Sequence, residues 1–209
     1  MTASVARFIE SFIPENYNLF LDINRSEKTF TGNVAITGEA IDNHISLHQK
    51  DLTINSVLLD NESLNFQMDD ANEAFHIELP ETGVLTLVIE FSGRITDNMT
   101  GIYPSYYSLD GVKKEVLSTQ FESHFAREAF PSVDEPEAKA TFSATSNMSS
   151  VDEGFSVIVG ITPQLIINPR STFSSNVIAK MSALGRCLEI KRAVLPDSVK
   201  ATINLISIA

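Results

Sequence analysis

Residues 17–23 read YNLFLDI, and this stretch sets the fold class that the sequence predicts. Tyr17, Leu19, Leu21 and Ile23 occupy alternate positions, with Asn18 and Asp22 among the residues between them. Side chains two residues apart project from the same face of an extended chain. The alternation therefore predicts a β-strand with one buried face and one face toward water.

The same pattern recurs at short, regular intervals in the following seventy residues. Further candidate strands cover residues 30–40, 44–49, 52–59, 64–68, 74–79 and 84–93, separated by turn-forming residues. This spacing predicts an all-β protein with the architecture of an antiparallel β-sandwich. Residues 96–110, TDNMTGIYPSYYSLD, combine glycine, proline and three tyrosines and are predicted as a long irregular loop. Another strand is expected at residues 116–122.

Composition excludes several classes of protein. The 209 residues are 43% hydrophobic and 20% charged, which is typical of a globular chain. A net charge of -12 argues against nucleic acid and anionic membranes as partners. Cys187 is the single cysteine, so the chain cannot form an internal disulfide. Residues 1–12 lack the apolar core of a signal peptide, and no apolar run is long enough to span a bilayer, so we expect a soluble cytoplasmic protein.

The charge is unevenly divided along the chain. Residues 1–153 carry 25 acidic and 9 basic residues, whereas residues 154–209 carry 2 and 6. This asymmetry suggests segments of different origin. We therefore divide the chain into a β-domain at 1–142, a linker or divergent strand region at 143–153, and an unassigned tail at 154–209. Within the tail, residues 175–194 have near-helical spacing, and residues 155–161, 164–168 and 199–208 are candidate strands.

Residues 119–142, TQFESHFAREAFPSVDEPEAKATF, hold the candidate chemistry. In an extended segment Gln120 and Glu122 would project side by side, and an amide beside a carboxylate suits an ammonium group. By itself this pair is weak evidence, because polar strand faces are common. Asp134, Glu135 and Glu137 could bind a cation, but a solvated turn or helix start is the favoured interpretation.

The histidines do not form a recognisable metal motif. His44 and His48 have the spacing of a zinc helix, but Ile45 stands where the general-base glutamate is needed. The segment also alternates like a strand, on which an i,i+4 pair lies about 13 Å apart, too far to share a metal. We expect structural roles for both, a solvent-facing strand position for His76 and a salt-bridging surface role for His124.

Several motifs that follow one another in a recognisable order strengthen the functional interpretation of Gln120 and Glu122. IPENYNLFLDI at 13–23, FTGNVAI at 30–36, ISLHQKDLTI at 45–54, FSGRITDNMTGIYPSYY at 91–107 and the segment at 119–142 closely resemble the N-terminal β-domain of zinc aminopeptidases of the aminopeptidase N family, in the form found in lactic acid bacteria and streptococci. Ser132 stands where relatives often have cysteine. The resemblance covers about residues 5–142.

The resemblance implies a saddle-like β-sandwich that docks onto a thermolysin-like catalytic domain. It implies that Glu122 binds the free α-amine of a peptide and that Gln120 contacts the first substrate residue. The family's zinc motif, H-E-x-x-H, occurs nowhere in the 209 residues, so no catalytic residue, metal ligand or cofactor is assigned to this chain. We therefore expect a domain truncated before its catalytic partner and inactive alone.

Two alternatives remain open. The chain could be a non-catalytic β-sandwich that binds another protein through the sandwich face or the aromatic loop at 102–107. It could also be a degenerate gene product, which the unfamiliar tail favours and which a frameshift or fusion would explain. The partners expected are thus a peptide N-terminus, if a catalytic domain is supplied, or a protein, with no nucleic acid and no membrane.

Overall fold

A computed structural model describes residues 7–149 and 177–179 of the chain. The strands are β1 (Phe12–Asn24), β2 (Thr29–Ala40), β3 (His44–His48), β4 (Thr53–Leu59), β5 (Glu62–Ser63), β6 (Phe66–Asp69), β7 (Ala74–Glu78), β8 (Gly83–Arg94), β9 (Gly101–Leu109), β10 (Val112–Gln120), β11 (Thr141–Ser149) and β12 (Val177–Ala179). Short 3-10 helices cover Phe8–Glu10, Asp70–Asn72 and Ala126–Glu128. The protein is all-β, as the alternating pattern predicts.

The strands form three sheets that enclose one core. The largest sheet has the order β12-β11-β1-β2-β8-β4-β5, the second β3-β7-β6, and the third is the β9–β10 hairpin. Every pairing is antiparallel except that of β1 with β11, which is parallel. The antiparallel sandwich is thus confirmed, with one parallel pair at the point where the chain returns to its first strand.

The core lies where the alternating residues of the strands meet. Tyr17, Leu19, Leu21 and Ile23 on β1 are all buried, which confirms the pattern that predicted the strand. Facing residues come from the second sheet, and all belong to one hydrophobic cluster: Ile45, Leu47, Phe75 and Ile77. A core of this kind is stabilised mainly by removal of apolar surface from water.

The predicted loop at 96–110 is wrong over most of its length. Residues Gly101–Leu109 form β9, which pairs with β10 from Gly101 opposite Gln120 to Leu109 opposite Val112. Pro104 is tolerated because β9 is an edge strand with no neighbour on its other side among the described residues. The left-handed residues Asp110 and Gly111 close the hairpin.

The tail can be compared with prediction at one short segment. The helix predicted at 175–194 is wrong at Val177–Ala179, which pairs with β11 as β12. The remainder of that helix, Cys187 and the candidate strands at 155–161, 164–168 and 199–208 lie outside the described residues. Among the described residues, none belongs to a helix whose length and hydrophobicity would let it cross a membrane.

Candidate functional site at the end of strand β10

The predicted pair Gln120 and Glu122 lies where β10 ends. The strand stops at Gln120, two residues earlier than the sequence pattern indicates, and Glu122 begins a turn. Phe121 between them is only 4% exposed, whereas Glu122 is exposed. The side-chain amide of Gln120 donates a hydrogen bond to the main-chain oxygen of Glu122 at 3.3 Å, and the Glu122–Ser123 peptide bond is cis. The amide of Gln120 therefore contacts the main chain of Glu122, whose side chain is exposed at this corner.

Phe121 anchors this corner in a group of four aromatic rings. Its ring meets that of Phe130 edge-on, with centroids 5.8 Å apart. Phe130 in turn lies edge-on to Phe142 at 6.2 Å and to Tyr17 at 6.3 Å, while Tyr17 and Phe142 stack at 4.7 Å. The main-chain oxygen of Phe121 also accepts a hydrogen bond from the N–H of Phe125 at 2.9 Å. Edge-to-face and offset stacking at these distances is favourable, so the backbone beside Glu122 is held by the core.

The segment that follows is bonded to strand β3 and its continuation. The N–H of His48 donates to the oxygen of Ser132 at 2.8 Å, and the N–H of Ser132 donates back at 3.2 Å. The N–H of Lys50 donates to the oxygen of Arg127 at 2.8 Å. Residues 127–132 therefore extend the second sheet without forming a regular strand.

The acidic cluster lies at a turn, but the structure differs from the solvated turn or helix start that was favoured: no helix begins at Pro136, and Asp134 and Glu135 are largely buried in contacts with other segments. Arg127 contacts Asp134 at 3.0 Å and Glu73 at 3.2 Å. Glu135 accepts the N–H of Phe8 at 2.6 Å, and Glu137 pairs with Arg7. Burial raises the pKa of Asp134 above its ordinary value, although the guanidinium of Arg127 opposes the change. These contacts give each of the three carboxylates a partner within the protein, although Oε2 of Glu135 is buried without a hydrogen bond.

A second ion-pair group fixes the other flank of the segment. Lys50 lies between Glu73, at 3.1 Å, and Glu128, at 3.3 Å. Hydrogen bonds from Lys50 and Arg127 hold the pKa of Glu73 below its ordinary value, although its partial burial acts in the opposite direction. The linear sequence contains no signal for this group, because its members come from three separate turns.

The two histidines of HISLH have different surroundings. His44 is exposed, with Nδ1 3.9 Å from Glu78, whereas His48 is 8% exposed and its Nδ1 accepts the N–H of Asp134 at 3.1 Å. Burial, followed by the charge of Arg127, lowers the pKa of His48 to about 4. The structural role expected for His48 is confirmed.

The other two histidines are placed as follows. His76 is part-exposed on β7, between Ser46 at 2.8 Å and Asp69 at 3.4 Å. His124 is exposed, and its Nδ1 lies 2.8 Å from the hydroxyl of Ser123 rather than in one of the ion pairs of the described residues. Over the ranges 7–149 and 177–179, no three His, Cys, Asp or Glu side chains are grouped so as to hold a metal ion. That part of the chain therefore offers no ligand set for the zinc ion, which the resemblance places in the family's catalytic domain.

Comparison with known proteins places this arrangement in a family. The sequence model of one protein family, the peptidase M1 N-terminal domain, matches residues 13–156, which is more than half of the chain. The chain belongs to the peptidase M1 N-terminal domain family. The match extends past Phe142, where the resemblance was expected to end, through strand β11.

The peptidase M1 N-terminal domain of this chain has relatives in bacteria and eukaryotes. It is 93% identical over 143 residues to aminopeptidase N of Lactococcus lactis subsp. lactis, covering 68% of this chain and 17% of the relative. It is 48% identical over 140 residues to aminopeptidase N of Lactobacillus helveticus, covering 67% and 17%. It is 35% identical over 162 residues to the puromycin-sensitive aminopeptidase of Caenorhabditis elegans, with the same coverage. The chain thus spans about a fifth or less of the length of these curated relatives.

Proposed function

We propose that this peptidase M1 N-terminal domain supplies recognition of the peptide α-amine to a cytoplasmic zinc aminopeptidase. The observation that supports the proposal is the exposed carboxylate of Glu122, carried on a backbone that Phe121 anchors in the core. A protonated amine at this corner would meet a full negative charge and the neighbouring amide of Gln120. Hydrogen bonds between ionised groups are roughly twice as strong as those between neutral groups.

The same proposal assigns the hydrolytic chemistry to another polypeptide segment. A catalytic zinc site needs three protein ligands and an open position. H-E-x-x-H does not occur in the 209 residues, and the described histidines are separated or engaged in other bonds. We expect the isolated chain, supplied with zinc and an aminoacyl chromogenic substrate, to show no turnover.

The role of Glu122 is testable in a chimera. Residues 1–149 of this chain would replace the corresponding part of the lactococcal aminopeptidase N with which it shares 93% identity over 143 residues. Glu122→Gln should reduce kcat/KM for a leucyl anilide by roughly 10- to 100-fold, the value of one hydrogen bond to a charged group. The matched control is Glu62→Gln, an exposed carboxylate on β5, which should leave kcat/KM unchanged.

Blocked substrates separate amine recognition from a general loss of activity. The unmodified chimera should discriminate strongly against an N-acetylated substrate, because the acetyl group removes the ammonium. In the Glu122→Gln chimera this discrimination should shrink by the same factor as kcat/KM. Unchanged discrimination, or equal losses in the Glu62→Gln control, would overturn the assignment.

A second candidate function, binding of another protein, is favoured by the β9–β10 hairpin. Near its tip Tyr106 is 50% and Val112 is 55% exposed, and the ammonium of Lys113 lies 4.1 Å from the Tyr106 ring centroid. Exposed aromatic and aliphatic groups of this kind occur in protein interfaces. Mixing the chain with the remaining part of the lactococcal relative should give co-elution in size exclusion that Val112→Asp abolishes. Independent elution at micromolar concentration would count against this function.

A further inference from the structure

His48 connects strand β3 to the segment that follows the candidate site through three hydrogen bonds. Two are the reciprocal main-chain bonds with Ser132, at 2.8 and 3.2 Å. The third runs from the N–H of Asp134 to Nδ1 of the imidazole at 3.1 Å. Since His48 is only 8% exposed, water cannot easily replace a lost partner.

The third bond requires a neutral imidazole. A main-chain N–H can only donate, so Nδ1 must offer its lone pair, and the remaining proton of the ring must be on Nε2. Protonation of Nδ1 would place two N–H groups against each other at a buried site. The bond to Asp134 and the charged form of His48 are therefore mutually exclusive.

The surroundings of the imidazole add to this incompatibility. The ring of Phe8 stacks on that of His48 with centroids 4.1 Å apart and covers one face. Burial has the largest effect and lowers the pKa of His48, and the nearby guanidinium of Arg127 acts in the same direction; a hydrogen bond with the main chain of Ser132 and the charge of Glu73 oppose both. The neutral form is thus the folded form at neutral pH.

Several other charged groups line the pocket that contains His48, and most of them are paired with one another. Arg7 is matched by Glu137, and Arg127 by Asp134. Asp69 faces His76, and Glu135 binds the N–H of Phe8. No carboxylate of the described residues forms an ion pair with His48, and the carboxylate oxygen that lines the same pocket without a hydrogen-bond partner is the buried Oε2 of Glu135, 3.9 Å from Nε of Arg7.

We propose that His48 is an acid-sensitive latch: when neutral, its Nδ1 holds the N–H of Asp134, and protonation releases that N–H and opens the main chain locally at Asp134. The two bonds with Ser132 join main-chain atoms and do not depend on the imidazole proton, so the opening is confined to the chain twelve residues after Glu122 while the large sheet stays folded. The proposal rests on the bonds of His48 alone and holds whether or not Glu122 binds an amine. It is a conformational device of the domain itself.

The test is amide hydrogen exchange of the full 209-residue chain by NMR, corrected for the intrinsic pH dependence of exchange. If the imidazole has its ordinary pKa of 6.5 in the open form and about 4 in the closed form, the opening constant at Asp134 rises roughly twentyfold from pH 7 to pH 5. Amides in the middle of β2 should keep their protection. Equal opening constants at the two pH values would overturn the proposal, as would parallel losses in β2.

Two variants isolate the imidazole. His48→Asn places an uncharged oxygen near the position of Nδ1, so protection at Asp134 should become independent of pH between 7 and 5. His44→Asn, on the same strand but exposed, should retain the roughly twentyfold change. If His48→Asn does not fold, direct titration of the His48 ring in the unmodified chain decides: a pKa below 5 supports the latch, and a pKa near 6.5 with the amide of Asp134 still protected overturns it.

Discussion

The phenol oxygen of Tyr17 accepts the main-chain N–H of Val133 at 3.1 Å, across 116 residues of sequence. This bond joins the first strand of the large sheet to the end of the segment that carries the candidate site. Tyr17 is fully buried, and burial raises its pKa above the ordinary value, so the phenol stays protonated. Tyr17 is therefore one of the contacts that hold the segment on the core, together with the ring of Phe130 and the bonds of His48.

Tyr17→Phe should test the value of this bond. The ring contacts with Phe130 and Phe142 would remain, but the N–H of Val133 would be left buried without its partner. We expect the free energy of unfolding to fall by about 1–3 kcal/mol, measured by urea denaturation. A loss below a few tenths of a kcal/mol would mean that Val133 finds another acceptor.

Ser132 is a candidate for stabilisation. Its hydroxyl oxygen is buried and has no hydrogen-bond partner among the described residues. Ser132→Cys, a residue suited to an apolar site, should raise the free energy of unfolding by about 1 kcal/mol because a desolvated polar atom is removed. Thermal denaturation is the measurement. The control is Ser118→Ala, where the hydroxyl lies 3.0 Å from that of Ser105 and its loss should not stabilise.

Gly101 is required by both conformation and packing. Its φ is 61°, and an added Cβ would lie 2.9 Å from the Cβ of Glu128, next to the end of β10. Gly101→Ala should destabilise the fold by about 2 kcal/mol, combining a left-handed backbone with a steric clash. Gly111 has a comparable φ of 77°, but an added Cβ there would meet no other atom. Gly111→Ala should therefore lower the free energy of unfolding only through the left-handed backbone. Equal losses in the two variants, measured by urea denaturation, would contradict the packing argument.

Glu115, opposite Tyr106 on the β9–β10 hairpin, should make the stability of the fold sensitive to acid. It contacts Arg25 at 3.0 Å and Lys28, and these bonds outweigh partial burial and hold its pKa below the ordinary 4.5. Its folded pKa is depressed, so its contribution is complete above pH 4.5 and is lost as pH falls through the folded value. We expect Glu115→Gln to lower the free energy of unfolding by roughly 1 kcal/mol near neutral pH and to leave it unchanged at low pH. Urea denaturation across pH 2–7 would show the difference, and a constant offset at all pH values would contradict it.

The strands were predictable because their signal is local. On β1 the alternation of Tyr17 to Ile23 follows from the pleat of an extended chain, and the structure buries every one of these side chains. Strand β9 at Gly101–Leu109 was not predicted from the sequence, because its tyrosines, glycine and proline also occur often in loops. Pairing with β10 decided its conformation, which is an example of tertiary context overriding local preference.

The pair Gln120 and Glu122 could be singled out from the sequence, but the contacts that hold the backbone between them could not be predicted from it. The sequence alone determined the all-β class and the positions of most strands, and it predicted the pair Gln120 and Glu122. Only the tertiary structure decided that Phe121 packs on Phe130, that Tyr17 holds Val133 and that His48 rather than His44 is buried. The physical reason is that strand formation depends on neighbours one and two residues away, whereas these contacts join residues brought together only when the sheets close on one core.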